Sequence, residues 1–473
     1  MKHSGESMSK VDTAWLRMDS ASNLMAILGV WTLKPRVRHA DLCRRVEERL
    51  LKYDRFRQRV QEDATGARWV DHDVDIRQHV VREKLPRRAD SQAALQERIG
   101  ELAMVPLDRA RPLWQMHLVE DYDGGSALIV RIHHCIADGI ALILVTLSLV
   151  DGGKPPLQRR RRRTEAESSD GWLGQNLVGP LAGLAVRALD KAGEGAAKSL
   201  GLLLDPKQGA QASLQLAQLG YQVVSDALAL LLMPDDSRTR LKGKPGARKR
   251  VAWCPPLPLD EVKEVGKALG CSINDVLLAC VAGAIGQYLR EQGDDVEGVE
   301  IRAMVPVNLR PPEQAWKLGN HFGLAPLVLP VGVANPVERV YEVRRRMAAL
   351  KDSTQPLLAF AVLAVAGLLV KPAQEALLDL FQRKATAVMT NVPGPRERLQ
   401  FLGATLQDCM FWVPQSGDIG LGVSILSYAG GVQFGVMADT LLCPDPQHII
   451  DRFAPEFERL ALITMMLPWP DGK

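Results

Sequence analysis

Residues 133–139 read HHCIADG, placing two histidines, an aspartate and a glycine between an apolar β-rich run and a longer apolar run. The preceding residues 127–132 (ALIVRI) predict a strand. The following residues 140–150 (IALILVTLSLV) predict a helix of about three turns. A strand end feeding a helix start is where α/β folds present reactive side chains, so this junction constrains both architecture and chemistry. Average residue usage would produce the four-residue pattern in about one chain in a thousand, which favours a chemical reading.

In a regular strand, successive residues point to opposite faces. One of His133 and His134 then faces a site while the other packs or bonds behind it. An imidazole that titrates near neutrality suits a general base, taking a proton from a hydroxyl and returning it to a leaving group. Asp138 is placed to cap the helix, a role worth about 0.5–2 kcal/mol. Gly139 is expected to let helix and strand approach closely. A metal centre needs at least three converging ligands. His321 is an isolated candidate and no second cluster has ligand spacing, so no metal is expected. There is no GxSxG elbow. Cys135 reads as a small buried residue projecting opposite to His134.

At 473 residues the chain fits two domains of roughly 200 residues each. Only 5% of residues are aromatic, so aliphatic side chains and alanine must fill the core. The formal charge of +4 is too small to argue for a nucleic-acid partner. Seven scattered cysteines without CxxC spacing read as reduced thiols of a cytoplasmic protein. No apolar secretion segment stands at the N-terminus. The longest apolar run, 357–370, has 14 residues against the roughly 20 of a membrane span, so it reads as a buried helix.

Three segments follow: a mixed α/β unit over 1–150, a linker and helical connection over 151–245, and a second α/β unit over 246–473. The middle one opens with a turn-rich stretch and the five arginines of 159–163, then a Leu/Ala/Gly-rich run from Trp172 with Leu173, Leu177, Leu181 and Leu184 at helical spacing. That arrangement reads either as a solvated linker with an interdomain helix or as a lipid-surface contact. In the last segment, helices are expected at 259–269, 273–290, 336–351, 356–370, 373–383 and from 447. Strands are expected at 301–308, 324–331, 385–392, 408–413, 421–428 and 432–437, with Ala429-Gly430-Gly431 as a hairpin turn. Pro393-Gly394 fits a type II turn.

HHCIADG has the form HHxxxDG, which resembles the signature of the acyl-CoA-dependent acyltransferase superfamily. Arg111-Pro112-Leu113-Trp114, Ser272-Ile273-Asn274-Asp275-Val276 and Asn391-Val392-Pro393-Gly394-Pro395 resemble the PLW, ND and NVPGP blocks of its bacterial wax ester synthase/diacylglycerol acyltransferase branch. Four blocks in the family's order span nearly the whole chain. The resemblance implies an α/β (α+β) fold of two chloramphenicol-acetyltransferase-like domains with the active-site tunnel between them. It implies transfer of a fatty acyl group from acyl-CoA, a co-substrate rather than a bound cofactor, to diacylglycerol or a long-chain alcohol. By the same resemblance, His134 is the general base of a direct transfer without an acyl-enzyme, and Asp138 orders the loop through an arginine, for which Arg310 is the candidate. Asn274 reads either as an oxyanion donor or as a helix cap. Pro112, Leu113 and Trp114 read as packing, and Asn391, Pro393 and Gly394 as shaping the tunnel wall. Such substrates imply peripheral attachment to the inner face of the membrane or to lipid inclusions. Rival readings are the same fold acting on another hydroxyl, an HxxxxD acyltransferase using His133, and a catalytically silent lipid-binding protein.

Overall fold

In the computed structural model the described residues are 5–63, 66–86, 90–153, 233–310, 318–351, 355–367, 369, 374 and 383–466. The arginines of 159–163, the run from Trp172 and most of the expected helix 373–383 lie outside them.

Aliphatic and β-branched alternation builds two large sheets. The six-stranded sheet runs in the order Gln400–Phe401, Ala404–Trp412, Ala26–Lys34, Gly125–His133, Trp114–Tyr122, Val80–Glu83. All its pairs are antiparallel except the last. The seven-stranded sheet runs Phe322–Leu329, Ile301–Asn308, Ala387–Pro393, Leu421–Tyr428, Gly431–Asp439, Lys249–Trp253, with Leu257–Pro258 also pairing on Gly431–Asp439. Its middle pairings, Ile301–Asn308 with Ala387–Pro393 and Ala387–Pro393 with Leu421–Tyr428, are parallel. Parallel strands are normally covered on both faces. Helix Ile273–Glu291 is buried over most of its length, and Val276, Leu277, Val281 and Ile285 join the core of this sheet. A third, small sheet joins Glu6–Ser7, Gly66–Asp71 and Gln58–Asp63.

The expected division at residue 246 does not match the sheets. Strand Ala404–Trp412 pairs with Ala26–Lys34 and completes the sheet that carries the histidine motif. The pairing that crosses the boundary joins residues some 380 apart in sequence, which local patterning cannot register.

The hairpin turn is present: Tyr428 faces Gly431 across Ala429 and Gly430, whose φ angles of 49° and 82° give the left-handed pair that a two-residue hairpin needs. Pro393-Gly394 is not a type II turn. Pro393 still pairs with Ser427, Gly394 N–H donates to Ser427 O at 2.8 Å, and Gly394 is not among the residues with positive φ. A Cβ on Gly394 would lie 2.3 Å from that same carbonyl oxygen, so this glycine serves close backbone approach. Among the described residues no single helix is long and apolar enough to cross a membrane. The apolar run near 360 forms helix Gln355–Ala366, with Leu358, Phe360, Leu363 and Ala366 buried.

Candidate active site

Strand Gly125–His133 ends at the first histidine, so His134 stands in the turn that follows, its N–H donated to Met25 O at 2.7 Å. The ring of His134 stacks on Trp15, centroids 4.3 Å apart and planes 13° apart, with Phe322 at 5.4 Å. His134 Nδ1 lies 2.9 Å from Asn320 Oδ1. Asn320 Nδ2 donates to the His134 carbonyl and to Asp12 Oδ1, each at 2.7 Å. A backbone carbonyl never donates, so this amide must present its oxygen to the ring, and Nδ1 carries the hydrogen. Nε2 is left as the ring nitrogen for the cavity. Burial pushes the His134 pKa down to about 4, so the ring is neutral at pH 7.

Asp138 caps helix Gly139–Leu149 by accepting from Ala141 N–H at 3.0 Å. Its other oxygen accepts from Arg310 Nη2 at 2.6 Å and from His321 N–H at 3.1 Å. Arg310 also donates to Gly319 O at 2.6 Å. The aspartate therefore ties the motif turn to segment 319–321. His321 offers its backbone to Asp138 and sets its ring against Phe360. Among the described residues no cluster of three His, Cys, Asp or Glu could hold a metal.

His133 turns away from His134. Its Nε2 lies 3.3 Å from Asp19 Oδ2, and its Nδ1 accepts from Cys135 N–H at 3.1 Å. Cys135 is fully buried, and burial pushes its thiol well above the usual range. Gly139 does not mediate close helix–strand packing as expected, because a Cβ there would meet nothing within 4 Å. It borders open space.

That space is a cavity of about 320 Å³ between the two large sheets. Trp15, His134, Asp138, Gly139 and Ile140 line it from the motif side, and Met304, Phe322, Leu324, Val362 and Leu363 from the other. The polar side chains Asn308, Thr390, Asn391 and Ser416 interrupt a mostly apolar wall. A neutral imidazole at the edge of an apolar cleft can move a proton for an apolar hydroxyl substrate.

Residues 8–277 match the wax ester synthase/diacylglycerol acyltransferase catalytic domain, and residues 318–461 match the C-terminal domain of the same family. The chain belongs to that family. Among its relatives, a Mycobacterium tuberculosis protein named "Probable diacyglycerol O-acyltransferase tgs1" is 29% identical over 428 residues, 88% of this chain and 87% of the relative. The wax ester synthase/diacylglycerol acyltransferase from Marinobacter aquaeolei VT8 superposes with a TM-score of 0.64 at 19% identity, covering 97% of this chain and 100% of that one. The first condensation domain of the CDA synthetase superposes at 0.57 and 16% identity, covering 97% and 96%. The fold is thus the two-domain acyltransferase and condensation-domain architecture, and the protein is an acyltransferase.

The remaining blocks of the family fall into place unequally. Leu113 O accepts from His133 N–H at 2.9 Å, and the buried Trp114 donates Nε1–H to Phe56 O at 2.9 Å, so Pro112-Leu113-Trp114 holds the end of the motif strand from the neighbouring strand of the same sheet. Asn274 is not the helix cap. Ser272 caps Ile273–Glu291 in a reciprocal capping box with Asp275. Asn274 does not line the cavity either; its Oδ1 accepts from Asn391 Nδ2 at 2.8 Å, and Asn391 is the cavity-lining member of the pair. Trp15, Asn320 and Phe322 around the imidazole escaped the sequence reading, and Asp12 stood there only within Val11-Asp12, where the family resemblance begins. Asp12 and Trp15 stand on helix Lys10–Arg17, whose N-cap Ser9 accepts from Asp12 N–H at 3.0 Å. The Ser9-x-x-Asp12 spacing was the available signal for that helix.

Proposed function

We propose that this protein transfers a fatty acyl group from acyl-CoA to the hydroxyl of diacylglycerol or of a long-chain alcohol, with His134 as general base. The observation that carries this reading is the His134 ring, fixed through Nδ1 and lining an apolar cavity with its other nitrogen unclaimed. Nε2 takes the hydroxyl proton as the alcohol oxygen attacks the thioester carbonyl. The tetrahedral intermediate then collapses, the carbon–sulfur bond breaks, and Nε2–H returns the proton to the leaving thiolate. Free coenzyme A and an ester result. Cys135 is not among the residues lining the cavity and is protonated, which favours direct transfer over an acyl-enzyme.

The developing oxyanion needs a donor, and Asn391 is the better candidate than Asn274 because it borders the cavity and Asn274 supports it. One such donor is worth about 2.7–4 kcal/mol in the transition state. Both substrates partition into lipid, so peripheral residence at the cytoplasmic membrane face or on lipid inclusions accompanies the reading.

The deciding experiment measures thiol release and ester formation from palmitoyl-CoA with diacylglycerol or hexadecanol. The wild type should form ester, and a folded His134→Ala should lose about 10²–10⁴-fold in kcat. Normal ester formation by that variant would remove the base. No turnover by the wild type with either acceptor would favour the silent lipid binder.

A further inference from the structure

A lone imidazole in water prefers its hydrogen on Nε2, and that tautomer would leave no lone pair facing the cavity. The site therefore needs an acceptor held against Nδ1. Asn320 supplies one beside the ring's own backbone carbonyl, but an amide is nearly symmetric in shape and can present NH₂ as easily as oxygen. Two acceptors break that symmetry: the His134 carbonyl, which takes one Nδ2 hydrogen, and the Asp12 carboxylate on the amide's far side. Asp12 Oδ1 accepts from Asn320 Nδ2 at 2.7 Å and from Asn320 N–H at 3.0 Å. A carboxylate makes both bonds charge-assisted.

The surroundings hold this contact although the partners are 308 residues apart. Gly319 N–H donates to Ile136 O at 3.1 Å, which seats segment 319–321 on the motif turn. Gly319 has φ 103°, and a Cβ there would lie 3.3 Å from Asp12 Oδ2, so the absence of a side chain admits the carboxylate. Trp15, one turn along the same helix, covers the imidazole face. Asp12 is buried, and burial pushes its pKa up to about 6, so its charge disfavours folding. A charge kept at that cost suits a functional role.

We propose that Asp12 is a positioning residue for the transfer, orienting the Asn320 amide so that His134 is held as the Nδ1–H tautomer. This rests on His134 being the base. Asp12 touches no substrate in this scheme.

The test uses the full chain labelled with ¹⁵N-histidine, the His134 ring signals being assigned by their loss in His134→Ala. The wild-type ring should show hydrogen on Nδ1. Asn320→Ala should shift it toward Nε2, and Asp12→Asn should give a mixture, since a neutral amide at 12 can offer either end and the His134 carbonyl alone then orients Asn320. With palmitoyl-CoA and diacylglycerol, Asp12→Asn should lower kcat by about 10- to 100-fold, the scale for a misplaced base, with KM within about twofold. Its melting temperature at pH 8 should not fall, since the substitution removes a disfavoured charge. An Nε2–H ring in the wild type, a His134 ring in Asp12→Asn identical to wild type, an undiminished kcat, or a melting temperature that falls in step with activity would each overturn the proposal. Full activity in His134→Ala beside an Nδ1–H wild-type ring would instead remove the base reading and leave the tautomer assignment standing.

Discussion

Two buried histidines, His134 just past the end of the motif strand and His117 on the strand beside it, have similarly lowered pKa values and opposite prospects. Burial holds each at about 4. His117, on strand Trp114–Tyr122, has both nitrogens engaged, Nδ1 with Glu83 Oε1 at 2.8 Å and Nε2 with Gln115 Oε1 at 3.1 Å. Glu83 is shared with Arg98 Nη2 at 2.9 Å, and Gln115 with Arg131 Nη1 at 3.1 Å. His117 borders no part of the cavity, whereas His134 has one nitrogen tied and lines it. A depressed pKa therefore does not mark a base. An unengaged nitrogen beside room for a substrate does.

The largest expected effect splits the pair. Against the loss set out for His134→Ala, His117→Gln should keep kcat within about threefold and lower the melting temperature instead, because it disturbs a closed buried network. A kcat collapse in His117→Gln would break the distinction. Next comes the brace that fixes the His134 turn. Asp138 and Arg310 pair at 2.6 Å with side chains 6% and 1% exposed. Removing either leaves a buried charge, and Asp138→Ala or Arg310→Ala should destabilise by about 3–5 kcal/mol in urea titrations. The double variant should be clearly less destabilised than the sum of the two, and additivity would deny the pairing.

The pH dependence sharpens the comparison further. Both histidines lie below their ordinary 6.5, so between pH 6.5 and 4 the unfolded chain binds protons that the folded chain refuses. Their stability contribution is complete above 6.5 and is lost as pH falls toward 4. Asp12, raised from 3.8 to about 6, has the opposite sign: its contribution is complete below 3.8 and is lost as pH rises through 6. Urea unfolding of His117→Gln should show a shallower slope between pH 4 and 6.5, while the acid limb of kcat/KM, set at His134, stays below 6.5 as in the wild type. The smallest effect is expected at Gly139→Ala. The new methyl group meets nothing within 4 Å, and at the first residue of the helix the gain falls below the about 0.5–1 kcal/mol of a mid-helix glycine-to-alanine exchange. Stability should rise slightly, and any change in KM would report the acyl or acceptor chain passing that point.

Local pattern carried much of this in advance. Strands Ile301–Asn308 and Leu421–Tyr428 and helix Pro336–Lys351 coincide with their hydrophobic periodicity, and the motif strand and helix lie within a few residues of theirs. The opposite facing of His133 and His134, the cap at Asp138 and its arginine followed from the motif and its resemblance. What failed was non-local or ambiguous. Asn320 carries no signature of its own, Asp12 shows only as the far end of a capping spacing, and nothing in either segment announces the other. Pro-Gly suggests a turn by dipeptide habit, yet at 393–394 a neighbouring strand, Leu421–Tyr428, keeps the backbone extended. Gly139 illustrates the same limit, since a missing side chain leaves room equally for a packed neighbour or for a ligand.

Strand Ala404–Trp412, which completes the sheet behind the histidine motif, has a biosynthetic consequence. A ribosome must deliver more than four-fifths of the polypeptide before Ala26–Lys34 gains its second neighbour. Until then that strand's backbone presents an open edge, ready to join any passing strand. Severing the gene near residue 200 and producing the pieces separately should yield an insoluble first piece, which recovers only when the second is made beside it.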